Sequence, residues 1–186
     1  MNELARVESQ PLAKMAPAAS AEQKQYLTFL LGGEMFSIGI LCIKEIIWYA
    51  ALTEVPLMPA CIRGVINLRG AVVPVMDLSA RFGKPATAVS KSTCIVIIEV
   101  KTEVEGERQN MGVVVDAVQA VLEIPSNEIE PAPNFGTRIR SDFIEGIAKV
   151  NGKFVILLNV NQVLSTEEIG AMGRIAATAE TTMSVN

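Results

Sequence analysis

The sequence predicts a mainly β protein made of two copies of one module, and three observations support this prediction. Short apolar runs rich in β-branched residues recur between turn signals about every 8–12 residues, which is typical of barrels and sandwiches. Prolines scattered through the middle of the chain exclude long helices there. The third observation is that two blocks of the sequence are repeated later in the chain.

The repeat is the most informative of the three. The aligned blocks are 36–47 with 111–122, at an offset of 75 residues, and 62–82 with 144–164, at an offset of 82. In the second pair of blocks, four residues align with identical residues 82 positions later; they are Ile62, Gly64, Gly70 and Val73. This offset exceeds the period of about 20–50 residues that is typical of solenoids, which favours two copies of one β module. We expect Gly64 and Gly146 to occupy equivalent backbone positions, and apolar residues of both copies to meet in a shared seam.

Taken in order, the elements of the first copy favour strands. YLTFLL (26–31) is a short apolar run that ends at a Gly-Gly turn, and MFSIGI (35–40) alternates. The segment at 40–50 has apolar residues at helical spacing, but its counterpart in the second copy is rich in Val, which favours a strand. We therefore predict a strand, one helical turn and another strand.

The second copy is introduced by STCIVIIEV (92–100), whose β-branched residues predict a buried strand. A charged turn and the apolar run MGVVVD follow it. Near the end of the chain, Ser165 and Glu168 have the spacing of a capping box. This spacing predicts a C-terminal helix that begins at Ser165.

These features divide the chain into three parts. Residues 1–25 are rich in Ala, Ser, Pro and Gln and lack the apolar core of a signal peptide, so we expect a disordered tail. Residues 26–169 are expected to form one domain of two intertwined lobes, whose repeats span about 35–82 and 111–164. We expect residues 170–186 to be a second flexible tail.

Composition argues against an enzyme. The chain contains no histidine, which excludes Ser-His and Cys-His nucleophile pairs and histidine zinc ligands. Asp77, Asp116 and Asp142 are isolated in sequence, and no P-loop motif is present, so we predict neither a metal nor a cofactor. The cysteines form no C-x-x-C motif and are interpreted as buried thiols in a reducing compartment. They are Cys42, Cys61 and Cys94.

Charge and hydropathy argue against nucleic acid and membrane insertion. The formal net charge is −4 and aromatic residues make up 5% of the chain, whereas nucleic-acid binding calls for a basic face. No run of about 18 uncharged apolar residues occurs, so we predict no transmembrane helix.

Two charged residues interrupt apolar strands of the first copy. They are Glu45 in CIKEIIW and Arg69 in VINLRGAVV. Arg69-Gly70 stands where the second copy has Asn151-Gly152, the preferred hairpin turn. A solvated strand face explains Glu45 by itself, and an ordinary type I turn with a Gly bulge explains Arg69. The alternative, which we test, is that the two side chains lie close together on the surface and form part of a binding site.

At this point the chain resembles a known family. PACIRGVINLRGAVVPVMDL (59–78) is similar to the signature stretch of the CheW-like chemotaxis coupling domain, and FSIGILCIKEII (36–47) is similar to the stretch that precedes it. The resemblance continues in the same order through about residues 24–170. It implies a fold of two five-stranded SH3-like β-barrels packed side by side, with short helical turns and a C-terminal helix.

The resemblance also implies a function. Members of this family are cytoplasmic, non-enzymatic adaptors that join the tips of chemoreceptors, near the groove between the barrels, to the regulatory domain of the CheA histidine kinase. They are recruited to membrane-associated arrays, where assembly with other CheW-like domains is also implied. The motif match assigns partner binding to Ile43, Glu45, Gly64 and Arg69, and assigns no residues to the kinase surface. The alternatives are a self-associating structural β-protein and a small-molecule-binding β-barrel.

Overall fold

The computed structural model describes residues 22–102, 104–132, 139–165 and 169, and within them strands predominate. The strands are β1 (Gln23–Leu31), β2 (Glu34–Gly39), β3 (Ile43–Trp48), β4 (Ile62–Leu68), β5 (Ala71–Asp77), β6 (Cys94–Lys101), β7 (Arg108–Val115), β8 (Ala117–Pro125), β9 (Ile129–Glu130), β10 (Ile144–Val150) and β11 (Lys153–Leu158). The short helices are α1 (Leu78–Arg81) and α2 (Val160–Val163), and 3-10 turns span Ile40–Cys42, Ser126–Glu128 and Ser141–Phe143. The prediction of a mainly β fold is confirmed.

The strands form two sheets with matching order. One sheet runs β8-β1-β2-β11-β10-β9 and the other runs β3-β6-β7-β5-β4. Under the sequence repeat β2 corresponds to β7, β3 to β8, β4 to β10 and β5 to β11, and β1 and β6 precede the two copies. Apart from the two-residue β9, the sheets therefore have the same order. Each sheet combines strands of both copies, and the copies meet at the parallel pairs β2–β11 and β5–β7.

In each sheet a chain segment connects the two edges. After β3 the chain crosses to β4, where Thr53 pairs with Val65. After β8 the chain crosses to β10, where Glu130 of β9 pairs with Ile147. These crossings give two barrel-like units, which we call the five-stranded lobe and the six-stranded lobe after their sheets.

The crossing segments explain the two repeated glycines. The register of β4 on β5 shifts between Ile62 and Gly64, and the register of β10 on β11 shifts in the same way beside Gly146. A Cβ on Gly64 would collide with the backbone carbonyl of Thr53, and a Cβ on Gly146 would lie 2.9 Å from the carbonyl oxygen of Glu130. The predicted equivalence of the two glycines is confirmed, because each one makes room for the crossing chain.

The largest apolar cluster lies between the lobes and contains residues from both sheets, as the sequence predicts. Strand β6 is buried on both faces: Val96 and Ile98 belong to this cluster, while Ile95 and Ile97 fill the five-stranded lobe. Fully burying each of these side chains contributes about 1.5–3 kcal/mol to folding. Four rings also pack in series through the seam, with centroids 5.7–6.2 Å apart; they are Phe29, Phe36, Phe82 and Phe143.

The structure corrects one prediction for the ends of the chain, and most of the other predictions there concern residues outside the described ranges. Strand β1 begins at Gln23, inside the predicted tail, because Gln23 pairs with Pro125 of β8. The remaining tail predictions, for residues 1–21 and 170–186, lie outside the described residues. The predicted capping box also falls largely outside them, although the Ile169 amide donates to the Ser165 carbonyl at 3.0 Å. No helix in the described ranges is long and apolar enough to cross a membrane.

Candidate partner-binding surface

The structure brings Glu45 and Arg69 together. Arg69 lies at the tip of the β4–β5 hairpin, and its Nη2 is 2.7 Å from Oε2 of Glu45 on the edge strand β3. The Arg69 side chain is 78% exposed and the Glu45 side chain 23% exposed. The predicted proximity of the two charges is confirmed. The carboxylate holds the guanidinium in place, but most of the Arg69 side chain is accessible to a partner.

The turn that carries Arg69 is not the expected type I turn. Both Arg69 (φ 53°) and Gly70 (φ 85°) have positive φ, as the type I′ hairpin turn requires. The alternative interpretation of Arg69, as part of an ordinary type I turn with a Gly bulge, is therefore wrong, because the two strands are joined by a two-residue I′ turn without a bulge. In the six-stranded lobe Asn151 (φ 51°) and Gly152 (φ 78°) form the same turn. An L-residue other than Asn or Asp in this conformation costs about 1–2 kcal/mol, so Arg69 is locally unfavourable.

Ile43 lies close to Glu45 in sequence but belongs to a different face of the sheet. The register of β3 on β6 shifts between the two residues, so that Ile43 pairs with Ile98 and Glu45 pairs with Ile97. Ile98 faces the seam between the lobes and Ile97 faces the lobe interior. Ile43 is therefore half-buried against the seam and does not adjoin the ion pair. In a strand without this register shift, Ile43 and Glu45 would lie on the same face of the sheet.

Gly64 is buried and offers no side chain to a partner. Its φ of +152° and its close approach to Thr53 allow the segment after β3 to cross to β4. This crossing connects β3, which carries Glu45, to β4, whose hairpin carries Arg69. Of the four residues that the motif assigns, the structure thus brings two into contact, places Ile43 at the seam and gives Gly64 a backbone role.

A second ionic group lies on the outer part of β3. Lys44 Nζ is 2.6 Å from Oε2 of Glu99, and Arg108 Nη1 is 3.9 Å from Oε1 of the same carboxylate. The hydrogen bond from Lys44 lowers the pKa of Glu99 most strongly, and the charges of Lys44 and Arg108 add to the effect. Glu99 is therefore a carboxylate held in its charged form between two cations.

A groove, which we call the seam groove, runs across the junction of the lobes. It consists of a hollow of about 560 Å³ and a smaller one of about 210 Å³. Both are lined by Leu41 and Cys42 of the 3-10 turn and by Val160 and Asn161 of α2, which form a ridge between them. Leu41 is 98% exposed. The sequence did not single out Leu41, because in a continuous apolar run nothing distinguishes an exposed leucine from a buried one.

The cysteines behave largely as predicted. Cys61 and Cys94 are buried, whereas Cys42 is half-buried at the ridge, where its thiol donates to the Gly39 carbonyl at 2.9 Å. Burial raises the pKa of Cys42 and that of Cys94, so these thiols stay protonated at neutral pH. Within the described ranges no group of three Cys, Asp or Glu side chains is arranged to hold a metal ion.

Comparison with known proteins agrees with this architecture. The family described as the CheW-like domain matches residues 25–168. The chemotaxis protein CheW of Klebsiella aerogenes is 31% identical over 153 residues, which cover 82% of this chain and 89% of the relative. The chemotaxis protein CheW of Rhizobium meliloti is 32% identical over 78% of this chain and 90% of its own length. A crystal structure of the scaffolding protein TtCheW from Thermoanaerobacter tengcongensis has a TM-score of 0.68 and 36% identity, covering 78% of this chain and 90% of that one.

Proposed function

This chain belongs to the CheW-like domain family, and we propose that it joins the cytoplasmic tips of chemoreceptors to the regulatory domain of the CheA histidine kinase. Family membership makes it a non-enzymatic chemotaxis scaffold. Its partners, its recruitment to membrane-associated receptor arrays and its contact residues are our proposal. In this proposal a receptor helix occupies the seam groove, and the ion pair of Glu45 and Arg69 forms an adjoining contact surface.

The observation that carries the proposal is the Arg69 turn. An exposed ion pair contributes about 0–1 kcal/mol to stability, which does not offset the cost of about 1–2 kcal/mol for a left-handed arginine. The six-stranded lobe has Asn151 at this position and so avoids most of that cost. A residue that weakens its own hairpin while presenting an oriented guanidinium is typical of a binding site.

The other two assigned residues support this surface from below. Ile43 fills the seam beside the 3-10 turn that carries Leu41, so trimming it would alter the groove. Gly64 permits the crossing segment to approach β4. We propose that both are positioning residues, and that Arg69, Glu45 and the exposed Leu41 touch the partners.

The two alternative functions lack comparable support. Apolar side chains fill the interior of each lobe, with Val75 and Ile97 in one and Val155 and Leu157 in the other. A small-molecule-binding barrel is also not favoured by the family, which is one of chemotaxis scaffolds. A self-associating structural role is not favoured either, for the same reason.

The test replaces Arg69 by the residue of the other lobe. Arg69→Asn removes the guanidinium and improves the turn, so we expect an unchanged or higher melting temperature. We also expect roughly thirtyfold weaker incorporation into complexes of receptor membranes and kinase in co-sedimentation, which corresponds to about 2 kcal/mol for a dominant interface arginine.

Asn151→Arg is the matched control, because it places a strained arginine on the other lobe without touching the proposed site. It should lower stability and leave co-sedimentation unchanged. Parental binding of receptor and kinase by Arg69→Asn would show that Arg69 is a turn residue only.

A further inference from the structure

The two hollows of the seam groove have opposite charge. The larger hollow belongs to the six-stranded lobe and is lined by three carboxylates and one lysine, which are Glu22, Glu123, Glu145 and Lys24. The smaller hollow belongs to the five-stranded lobe and is lined by two cations and one carboxylate, which are Lys101, Arg108 and Glu99. Glu99 is already neutralised by Lys44 at 2.6 Å. One end of the groove is therefore acidic and the other basic.

Carboxylates of the larger hollow raise the pKa values of two neighbouring side chains, Tyr26 and Cys42. Burial raises the pKa of Tyr26, and the charges of Glu145 and Glu22 raise it further. The charge of Glu145 also adds to the rise in the pKa of Cys42 on the ridge. The carboxylates thus act together on the floor of this hollow. Lys24 is exposed at its rim and offsets only one of the three negative charges.

The ridge between the hollows presents accessible apolar side chains beside the exposed Asn161. Leu41 projects with 98% exposure, and Val160 of α2 lies beside it in both hollows. An exposed leucine between two hollows is suited to the apolar stripe of an amphipathic helix. The charged residues at the rim then decide which charged side chains the helix can carry at each end, because a side chain that lies over rim residues of the same charge is repelled.

We propose that the seam groove reads the charge polarity of its helical partner. The occupant is a helix with an apolar stripe at its centre, basic side chains toward the end that lies over Glu123 and Glu145, and acidic side chains toward the end that lies over Lys101 and Arg108. This inference rests on the proposed function, in which the occupant is a receptor helix, and it fixes the direction in which that helix crosses from one lobe to the other.

The test uses a designed peptide and the full chain labelled with ¹⁵N. The peptide has about 20 residues, enough to form a helix, with a leucine stripe, lysines in one half and glutamates in the other. A nitroxide is attached by an amide bond to either end, so that the thiols of the chain cannot exchange with it. With the label on the lysine end, we expect selective broadening of the Glu123 and Glu145 amides. With the label on the glutamate end, we expect it at Lys101 and Arg108.

A variant that removes the charge difference between the hollows makes the test decisive. In the double variant Glu123→Lys and Arg108→Glu both replaced side chains are exposed, so the fold should persist, and the dispersion of the amide spectrum checks this. The larger hollow then carries two carboxylates and two lysine side chains, and the smaller hollow no longer has a net positive charge, so the difference between the two broadening patterns should disappear. The control Glu54→Lys with Lys91→Glu changes exposed charges that do not line the groove, and it should keep the parental patterns.

The outcomes separate this inference from the proposed function. If the peptide shifts the Leu41 amide but both labels broaden the same residues, the groove binds helices without reading their polarity, and the inference is overturned. The same holds if the double variant keeps the parental patterns. If the peptide leaves the Leu41 amide unshifted, docking of a helix in this groove fails, and both this inference and the receptor-binding part of the proposed function fall with it.

Discussion

The two lobes share one strand order and one pair of crossing segments, yet they differ at the positions where a partner would bind. The five-stranded lobe carries Glu45 and Arg69, 2.7 Å apart, where the other lobe has Ala120 and Asn151. Asn151 suits its turn and Arg69 does not. The six-stranded lobe, which lacks the ion pair, therefore shows which residues the module needs in order to fold. The five-stranded lobe shows which residues have been added to that minimum.

The same contrast appears at the residues that cap the short helices. Asp77 is fully buried and accepts hydrogen bonds from the amides of Ser79 at 3.0 Å and Thr87 at 2.8 Å, with Arg63 at 3.5 Å. The equivalent Asn159 is half-buried and accepts one long hydrogen bond, from the Gln162 amide at 3.4 Å. The isolation of Asp77 in sequence thus conceals a structural network that ties α1, the loop at Thr87 and β4 together.

A large difference in the free energy of unfolding is expected between the alanine variants of the two repeated glycines. Gly64→Ala forces a side chain against the backbone of Thr53 at a positive φ, so we expect a loss of about 3 kcal/mol in the free energy of unfolding. Gly146→Ala should cost less, because the Glu130 carbonyl oxygen would lie 2.9 Å from the added Cβ, farther away than the Thr53 carbonyl oxygen at Gly64, although the Cγ2 methyl of Ile129 must also move. Urea unfolding of both variants measures this. Equal losses would contradict the closer approach of the backbone at Gly64.

The two helix caps should also differ in their contribution to stability. Asp77→Ala leaves buried amides of Ser79 and Thr87 without acceptors, and each such loss costs about 1–3 kcal/mol. Asn159→Ala removes only a partly exposed cap, which is worth about 1 kcal/mol. Thermal and urea denaturation of the two variants should rank Asp77→Ala well below Asn159→Ala. The reverse ranking would mean that the Asp77 network contributes nothing.

Exchange of the turn residue should have an effect of about 1 kcal/mol. Asn151→Arg places an arginine at φ 51° without an acidic partner, since Ala120 stands where Glu45 would be. The variant Asn151→Arg with Ala120→Glu should recover a few tenths of a kcal/mol, the value of an exposed ion pair. Differential scanning calorimetry of the single and double variants checks both steps. Unchanged stability in the single variant would remove the argument that Arg69 is locally costly.

The smallest effect concerns the pH dependence of the five-stranded lobe. The folded-state pKa of Glu99 lies below its ordinary value of 4.5. The stability that it contributes is therefore present above pH 4.5 and is lost as the pH falls through the lower, folded-state pKa. Lys44→Met should make the acid limb of the stability curve shallower. The control is Gln119→Met, at the equivalent position of the other lobe, and it should leave that limb unchanged.

The repeating unit and its turns can be predicted from the amino-acid sequence alone. Glycines at 64 and 146, and the Asn-Gly and Arg-Gly pairs at the hairpin tips, are local requirements of backbone conformation, and such requirements are visible in a pattern of residues. The contact between Glu45 and Arg69 was also predictable, because two charges that interrupt apolar strands need a solvent-exposed or paired position. The resemblance to the CheW-like family rests on the same blocks.

How the two copies combine depends on long-range packing. Strands of two similar modules bury equivalent apolar faces whether they pair within a copy or between copies, so no local pattern indicates that β2 pairs with β11 and β5 with β7. The bulge that separates Ile43 from Glu45 is likewise a product of pairing with β6. The seam groove exists only because the fold places Leu41 beside Val160, which lie far apart in the chain. Exposure and charge at such a junction depend on long-range packing, which the order of residues along one strand does not reveal.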